Sequence, residues 1–94
     1  MRTIKYTSKF KQDFKREKKS GHYRTVLEHD LTIIINALAN NRSLPLKNRD
    51  HALNGNWKDH RDCHVKPDLV LIYRKPDDKT LELVRLGSHS QLSL

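Results

Sequence analysis

Ninety-four residues make one domain, residues 1–94, with room for a modest core but none for a deep internal cavity. The net charge of +8 calls for a polyanionic partner, since neutralising phosphates releases counterions. The lone Cys63 excludes an internal disulfide and fits a reducing cytosol. No apolar run nears the roughly 20 residues of a membrane span, so no membrane partner is expected. The opening MRTIKYTSKFKQ lacks a hydrophobic signal core and reads as mature protein.

The basic excess is lopsided. Residues 1–24 hold nine Lys/Arg against two acids (+7), and residues 25–94 hold ten against nine (+1). RTIKYT alternates and predicts a first strand. Thr7 or Ser8 can cap a helix that carries Phe10 and Phe14 on one face and Lys11, Lys15, Lys18 and Lys19 elsewhere. Ser20-Gly21 ends it. Tyr23, Leu27, Leu31, Ile34 and Leu38 recur at helical spacing and predict a second amphipathic helix. Asn40-Asn41 and Pro45 stop it.

Residues 42–56 read as a polar connection bearing Asp50-His51. The period then changes to two. A strand is predicted from Trp57 to Val65, a turn at Pro67-Asp68, and a strand buried on both faces over LVLIY at 69–73. Pro76-Asp77-Asp78 turns the chain into a last strand at 81–86. The order strand–helix–helix–three strands predicts an α+β fold, with both helices packed on one face of a small, twisted antiparallel sheet.

Chemistry concentrates after residue 50. His64 ends one strand and Asp68 opens the next, so the turn brings them together. Arg85 and His89 leave the last strand toward the same edge, and His51 enters on the loop. Imidazoles titrate near neutrality and can both take and give protons. With a carboxylate and a guanidinium they form an acid–base set for a charged ester, and RNA supplies its own nucleophile in the 2′-hydroxyl. No metal or cofactor is then required. A zinc site is the competing reading of three His and a carboxylate, but a helical His-x-x-x-His pair is missing and Arg85 would repel a cation. Cys63 alternates with His64 and points into the core. His22, His29 and His60 read as surface residues, and Trp57 as a structural anchor. Both His89 and Arg85 read as edge residues whose truncation leaves the core within about 0.5 kcal/mol.

The stretch Asp50-HALNGNWKDHRDC-His64-VK-Pro67-Asp68, then Leu71-Ile72-Tyr73 and Arg85-Leu-Gly-Ser-His89, resembles the YafQ branch of the RelE-type toxins over residues 44–90. The Leu53-x-Gly55-x-Trp57-x-x-x-Arg61 spacing is shared widely in that superfamily and implies the fold. The resemblance implies a toxin of a bacterial toxin–antitoxin pair, a ribosome-dependent mRNA endoribonuclease cutting in the A site. It implies catalytic roles for His51, His64, Asp68, Arg85 and His89. It also implies a cognate antitoxin, here expected to carry an acidic C-terminal segment. Lys11, Lys15, Lys18 and Lys19 are expected to hold ribosomal RNA. Leu69 and Ser93 stand where the family has aromatics. The alternative reading is a non-catalytic, basic nucleic-acid-binding or regulatory module.

Overall fold

The computed structural model describes residues 1–94. The chain runs β1 (Thr3–Tyr6), α1 (Ser8–Ser20), α2 (Leu27–Ala39), β2 (His51–Ala52), β3 (Arg61–Lys66), β4 (Leu69–Arg74) and β5 (Thr80–Gly87). Thr7 caps α1, its hydroxyl accepting from the Phe10 N–H at 3.0 Å. The 42–56 connection holds more structure than its polarity predicts: two 3-10 turns, at Leu46–Asn48 and Gly55–Trp57, flank β2. The strand expected from Trp57 begins only at Arg61, because residues 55–57 are used in the second of those turns.

The five strands form one sheet in the order β1-β5-β4-β3-β2. It is mixed, which corrects the antiparallel expectation. β1 lies at the edge and runs parallel to β5, with Thr3 opposite Thr80 and Tyr6 opposite Leu83. Such a pair needs no hairpin, only a return of the chain from far away, and sequence alternation does not report strand direction. The other pairs are antiparallel.

β4 is central and buried from Leu69 to Tyr73, as its apolar run predicts. Leu69, Leu71 and Tyr73 join Phe10, Leu27, Leu31, Ile34 and Leu38 in the core beneath the helices. Val70 and Ile72 face the other way and are covered by Leu92, Leu53, Trp57 and Val84. Trp57 is thus the anchor its position predicts. Both helices occupy one face, and the opposite face is covered only by loop and C-terminal residues.

One polar contact fixes α1 to the sheet. Pairing of β1 with β5 stops at Leu83, and the outer edge of β5 beyond it would be bare. Side chains from the start of α1 take over. The Thr7 hydroxyl donates to the Val84 carbonyl at 2.7 Å. Asp13, 3 % exposed, accepts from the Leu86 N–H at 3.0 Å and from Arg85 Nε at 2.7 Å. Arg16 donates to the Leu86 carbonyl at 2.9 Å and to Asp13 at 2.8 Å. Burial alone would push the Asp13 carboxyl up. The bonds from Arg85, Leu86 and Arg16 outweigh it and hold the group below the usual carboxylate range. Burying this acid is tolerated because every lone pair is used.

This contact overturns the expectation that Arg85 is a dispensable edge residue. Arg85→Ala removes the main partner of a buried carboxylate and is expected to cost about 1–3 kcal/mol. Asp13→Ala also strands the Leu86 N–H. The double variant should lose less than the sum of the two single losses, because both break one network. Urea unfolding checks this. A cost below about 0.5 kcal/mol for Arg85→Ala would contradict the clamp.

Candidate active site

The site lies on the sheet face away from the helices and at the neighbouring end of β3 and β5. Strand periodicity sets the first row. Cys63 and Val65 point to the helix-side core, so Asp62 and His64 point to the other face. His51 is the register partner of Asp62 on β2 and joins the same row. Its strand is held by Asp50, which accepts from the buried Tyr73 hydroxyl at 2.5 Å and from Arg61 Nε at 3.2 Å. The preceding turn is tied in by Asn48, whose amide donates to the His64 carbonyl at 2.7 Å.

His89 arrives from the turn after β5. Its ring sits edge-on to that of His64, with centroids 4.9 Å apart. Asp68 Oδ1 accepts from His89 Nδ1 at 2.8 Å and from the His89 backbone N–H at 3.2 Å. These bonds hold the Asp68 carboxyl below its ordinary range. An ionised carboxylate only accepts, so Nδ1 of His89 carries a proton, and Nε2 is left without a protein partner. His51 Nδ1 donates to the Arg49 carbonyl at 2.6 Å and likewise presents Nε2. The His64 imidazole is half-buried. Desolvation, then the neighbouring His89, lowers its pKa, which keeps it neutral at neutral pH.

His64, Asp68 and His89 therefore come together as the sequence predicts, with His51 one position along the same row. Arg85 stands apart: its register partner is Ile72, which in turn faces Asp62, so two strand spacings, about 9–10 Å, separate it from that row. Its Nε and Nη2 are bound to Asp13, at 2.7 and 3.2 Å. Lys11, Lys15, Lys18 and Lys19 are exposed along α1, on the helix side of the sheet, and Lys18 is paired with Glu28 of α2. Leu69 is buried in the helix-side core and cannot stack on a base, while Ser93 is exposed.

Two features escaped the sequence reading. Asp62 is 3 % exposed and lies under the imidazoles. Its Oδ1 is 3.2 Å from His51 Nδ1, an ion-pair distance, but that N–H is spent on Arg49 and the oxygen accepts no hydrogen bond. Burial raises the Asp62 pKa, and the attraction of His51, His64 and His89 only partly offsets it. Period two from His64 would have placed Asp62 in the row. The second feature is a groove of about 600 Å³ bordered by Lys47, Arg49, His64 and Lys66. Its cations come from two separate segments, which a charge count along the chain does not bring together. Lys66 is paired with Asp30 at 2.6 Å, so Lys47 and Arg49 are the cations left for an anion.

The pKa of Asp62 is higher folded than unfolded. Its contribution to stability is therefore present at low pH and lost as pH rises through the folded value. Asp62→Asn should remove that cost: at pH 7.5 the variant should be at least as stable as the parent, while turnover falls by on the order of tenfold through loss of the charge beneath the imidazoles. Thermal unfolding and cleavage kinetics check both. A destabilisation above about 1 kcal/mol would show that the carboxylate is a structural partner instead.

The chain matches a family model described as "Bacterial toxin of type II toxin-antitoxin system, YafQ" over residues 2–94. It is 40% identical over 91 residues to the mRNA interferase toxin YafQ of Escherichia coli K12, covering 97% of this chain and 95% of that protein. Among solved structures, it aligns with the toxin of the E. coli DinJ-YafQ toxin-antitoxin complex at a TM-score of 0.82 and 38% identity, over 97% of this chain and 96% of that one. A metal-bound toxin from Helicobacter pylori aligns at a TM-score of 0.84 and 44% identity, over 98% and 99% of the two chains. The fold, the element order and this similarity along nearly the whole length agree: the chain belongs to the YafQ family of bacterial type II toxins.

Proposed function

We propose that this chain, the toxin of a toxin–antitoxin pair, is an endoribonuclease that cuts ribosome-bound mRNA in the A site by acid–base catalysis without a metal or cofactor. The observation that carries the reading is the pair of imidazoles, 4.9 Å apart, backed by Asp68 on His89 Nδ1 at 2.8 Å. The two rings have different surroundings, and such differences separate an acid from a base.

His64, kept neutral by desolvation, takes the proton from the 2′-hydroxyl. The 2′ oxygen then bonds to the adjacent phosphorus as the bond to the 5′ oxygen breaks. His89 gives its Nε2 proton to that leaving oxygen, while Asp68 holds the ring and offsets the imidazolium charge, as the acid of a hydrolase triad does. The products are a 2′,3′-cyclic phosphate and a 5′-hydroxyl. His51 supplies a further imidazole above Asp62. The groove with Lys47 and Arg49 takes the flanking phosphates. Arg85 keeps one nitrogen, Nη1, without a protein partner and adds positive potential for the phosphoryl oxygens. Lys11, Lys15, Lys18 and Lys19, on the helix side, hold ribosomal RNA through its phosphates. The antitoxin's acidic C-terminal segment complements the +8 charge and folds on the toxin as it binds.

His89→Ala should lower cleavage about 10²–10⁴-fold while His29→Ala, on an exposed helix position, leaves it unchanged. The His64 shift sets the pH profile. The acid limb of kcat/KM should fall at a pH below the ordinary imidazole value of about 6.5. The metal-bound Helicobacter pylori relative makes chelation the sharpest control. Primer extension on a ribosome-bound mRNA should show full cleavage in EDTA at a concentration that spares ribosomes. Loss in EDTA with restoration by zinc or copper alone would replace this mechanism with a metal-assisted one.

A further inference from the structure

The active-site residues sit between two concavities of opposite character. On the His64 side is the cationic groove suited to phosphates. On the Asp68 side is a separate cleft of about 330 Å³ between the end of α1 and the turn at 88–91, lined by Arg16, Glu17, His22, Tyr23, Asp68 and Gln91. Its charge does not favour an anion. Arg16 shares the cleft with two carboxylates, Glu17 and Asp68, and its nitrogens are already committed to Glu17, Asp13 and the Leu86 carbonyl. A phosphate would be repelled, whereas a neutral, planar ligand with hydrogen-bonding edges fits.

The cleft offers such edges. Gln91 Oε1 accepts from the Ser88 N–H at 2.8 Å and from Arg16 at 3.4 Å. With two donors on the oxygen, the amide orientation is fixed and the Nε2 donors are left over. Gly87 permits this fold-back, since a Cβ there would lie 2.8 Å from Gln91 Oε1. Asp68 uses Oδ1 for His89 and keeps Oδ2 without a protein partner. The adjoining wall is aromatic, His22 and Tyr23 standing edge-to-face with centroids 4.7 Å apart, a surface on which a base can stack.

We infer that this cleft binds the nucleobase of the nucleotide beside the scissile phosphate, and that Gln91 Nε2 selects a base presenting an acceptor at that point. The inference rests on the acid–base reading above, because Asp68 belongs to both sites. It makes Gln91 a specificity-determining residue with no part in proton transfer.

The decisive variant is Gln91→Glu. It preserves the oxygen that accepts from Ser88 and Arg16 but exchanges the donor for an acceptor. Purified toxin would be given ribosome-bound mRNAs differing only in the nucleotide next to the cut. The kcat/KM ratio between bases at one flanking position should change by about tenfold, the scale of one hydrogen bond gained or lost. The bond cut and the melting temperature should stay the same. Ser20→Phe, at an exposed position on the rim, is the second probe, and should raise KM with kcat retained. An unchanged base ranking in Gln91→Glu, or an unchanged KM in Ser20→Phe, each with normal cleavage, overturns the cleft alone. A His89→Ala toxin that cuts at the parent's rate overturns the acid–base reading whatever Gln91 does.

Discussion

Beyond Leu83 the outer edge of β5 has no strand beside it, and Asp13 takes the place of one. A carboxylate on the buried face of α1 accepts from a sheet N–H and from Arg85, while Arg16 serves the adjacent carbonyl. The substitution has three consequences. It satisfies an edge that would otherwise invite pairing with another chain. It fixes the height of α1 against the sheet, and so the place where α1 ends beside Asp68. It also fixes the end of β5, from which the turn carrying His89 departs. The positions of the imidazole pair and of the cleft next to it thus both depend on a helix-to-sheet contact on the other side of β5.

The proposed active site keeps features that a purely stable protein would lose. Asp62 is buried with an oxygen that accepts nothing, and His64 is desolvated. Both destabilise the charged forms, and both shape proton affinity where a reaction needs it. Surrounding elements bear the cost. Asp50 ties the β2 segment to Tyr73 and Arg61, and Asn48 ties the preceding turn to β3. On the proposed reading the surface that meets RNA is divided by charge, with free cations on the His64 side and an excess of carboxylate, Glu17 and Asp68 against Arg16, on the Asp68 side. On that reading the phosphates lie along the cationic concavity and a neutral base occupies the other.

Much of this was legible in the residues. Periodicity marked both helices, the doubly buried β4 and the last strand, because amphipathic stripes and apolar runs are local signals. The Pro67-Asp68 turn brought His64 and Asp68 together by chain geometry alone. The parallel β1–β5 pair was not legible, since strand direction is settled by contacts between residues nearly eighty positions apart. The role of Asp13 was marked only by a carboxylate within an apolar stripe, between Phe10 and Phe14. Arg85 was read as free because its partner lies 72 residues away. Asp62 shares its strand face with His64, and the period-two spacing between them is the signal in the sequence that places it there. The toxin family followed from the 50–89 motifs and is matched over residues 2–94.

The central claim is that the RNA supplies its own nucleophile and that His64 and His89 move the protons. Replacing a single 2′-hydroxyl with hydrogen, on the nucleotide whose ribose precedes the scissile phosphate, tests it most directly. The rest of the ribosome-bound message stays unchanged. The account predicts that cleavage at that site is abolished while toxin binding is retained, and that the unmodified message yields a 2′,3′-cyclic phosphate end. Cutting of the 2′-deoxy message at the rate of the parent would contradict it, because the attacking oxygen would then have to come from water.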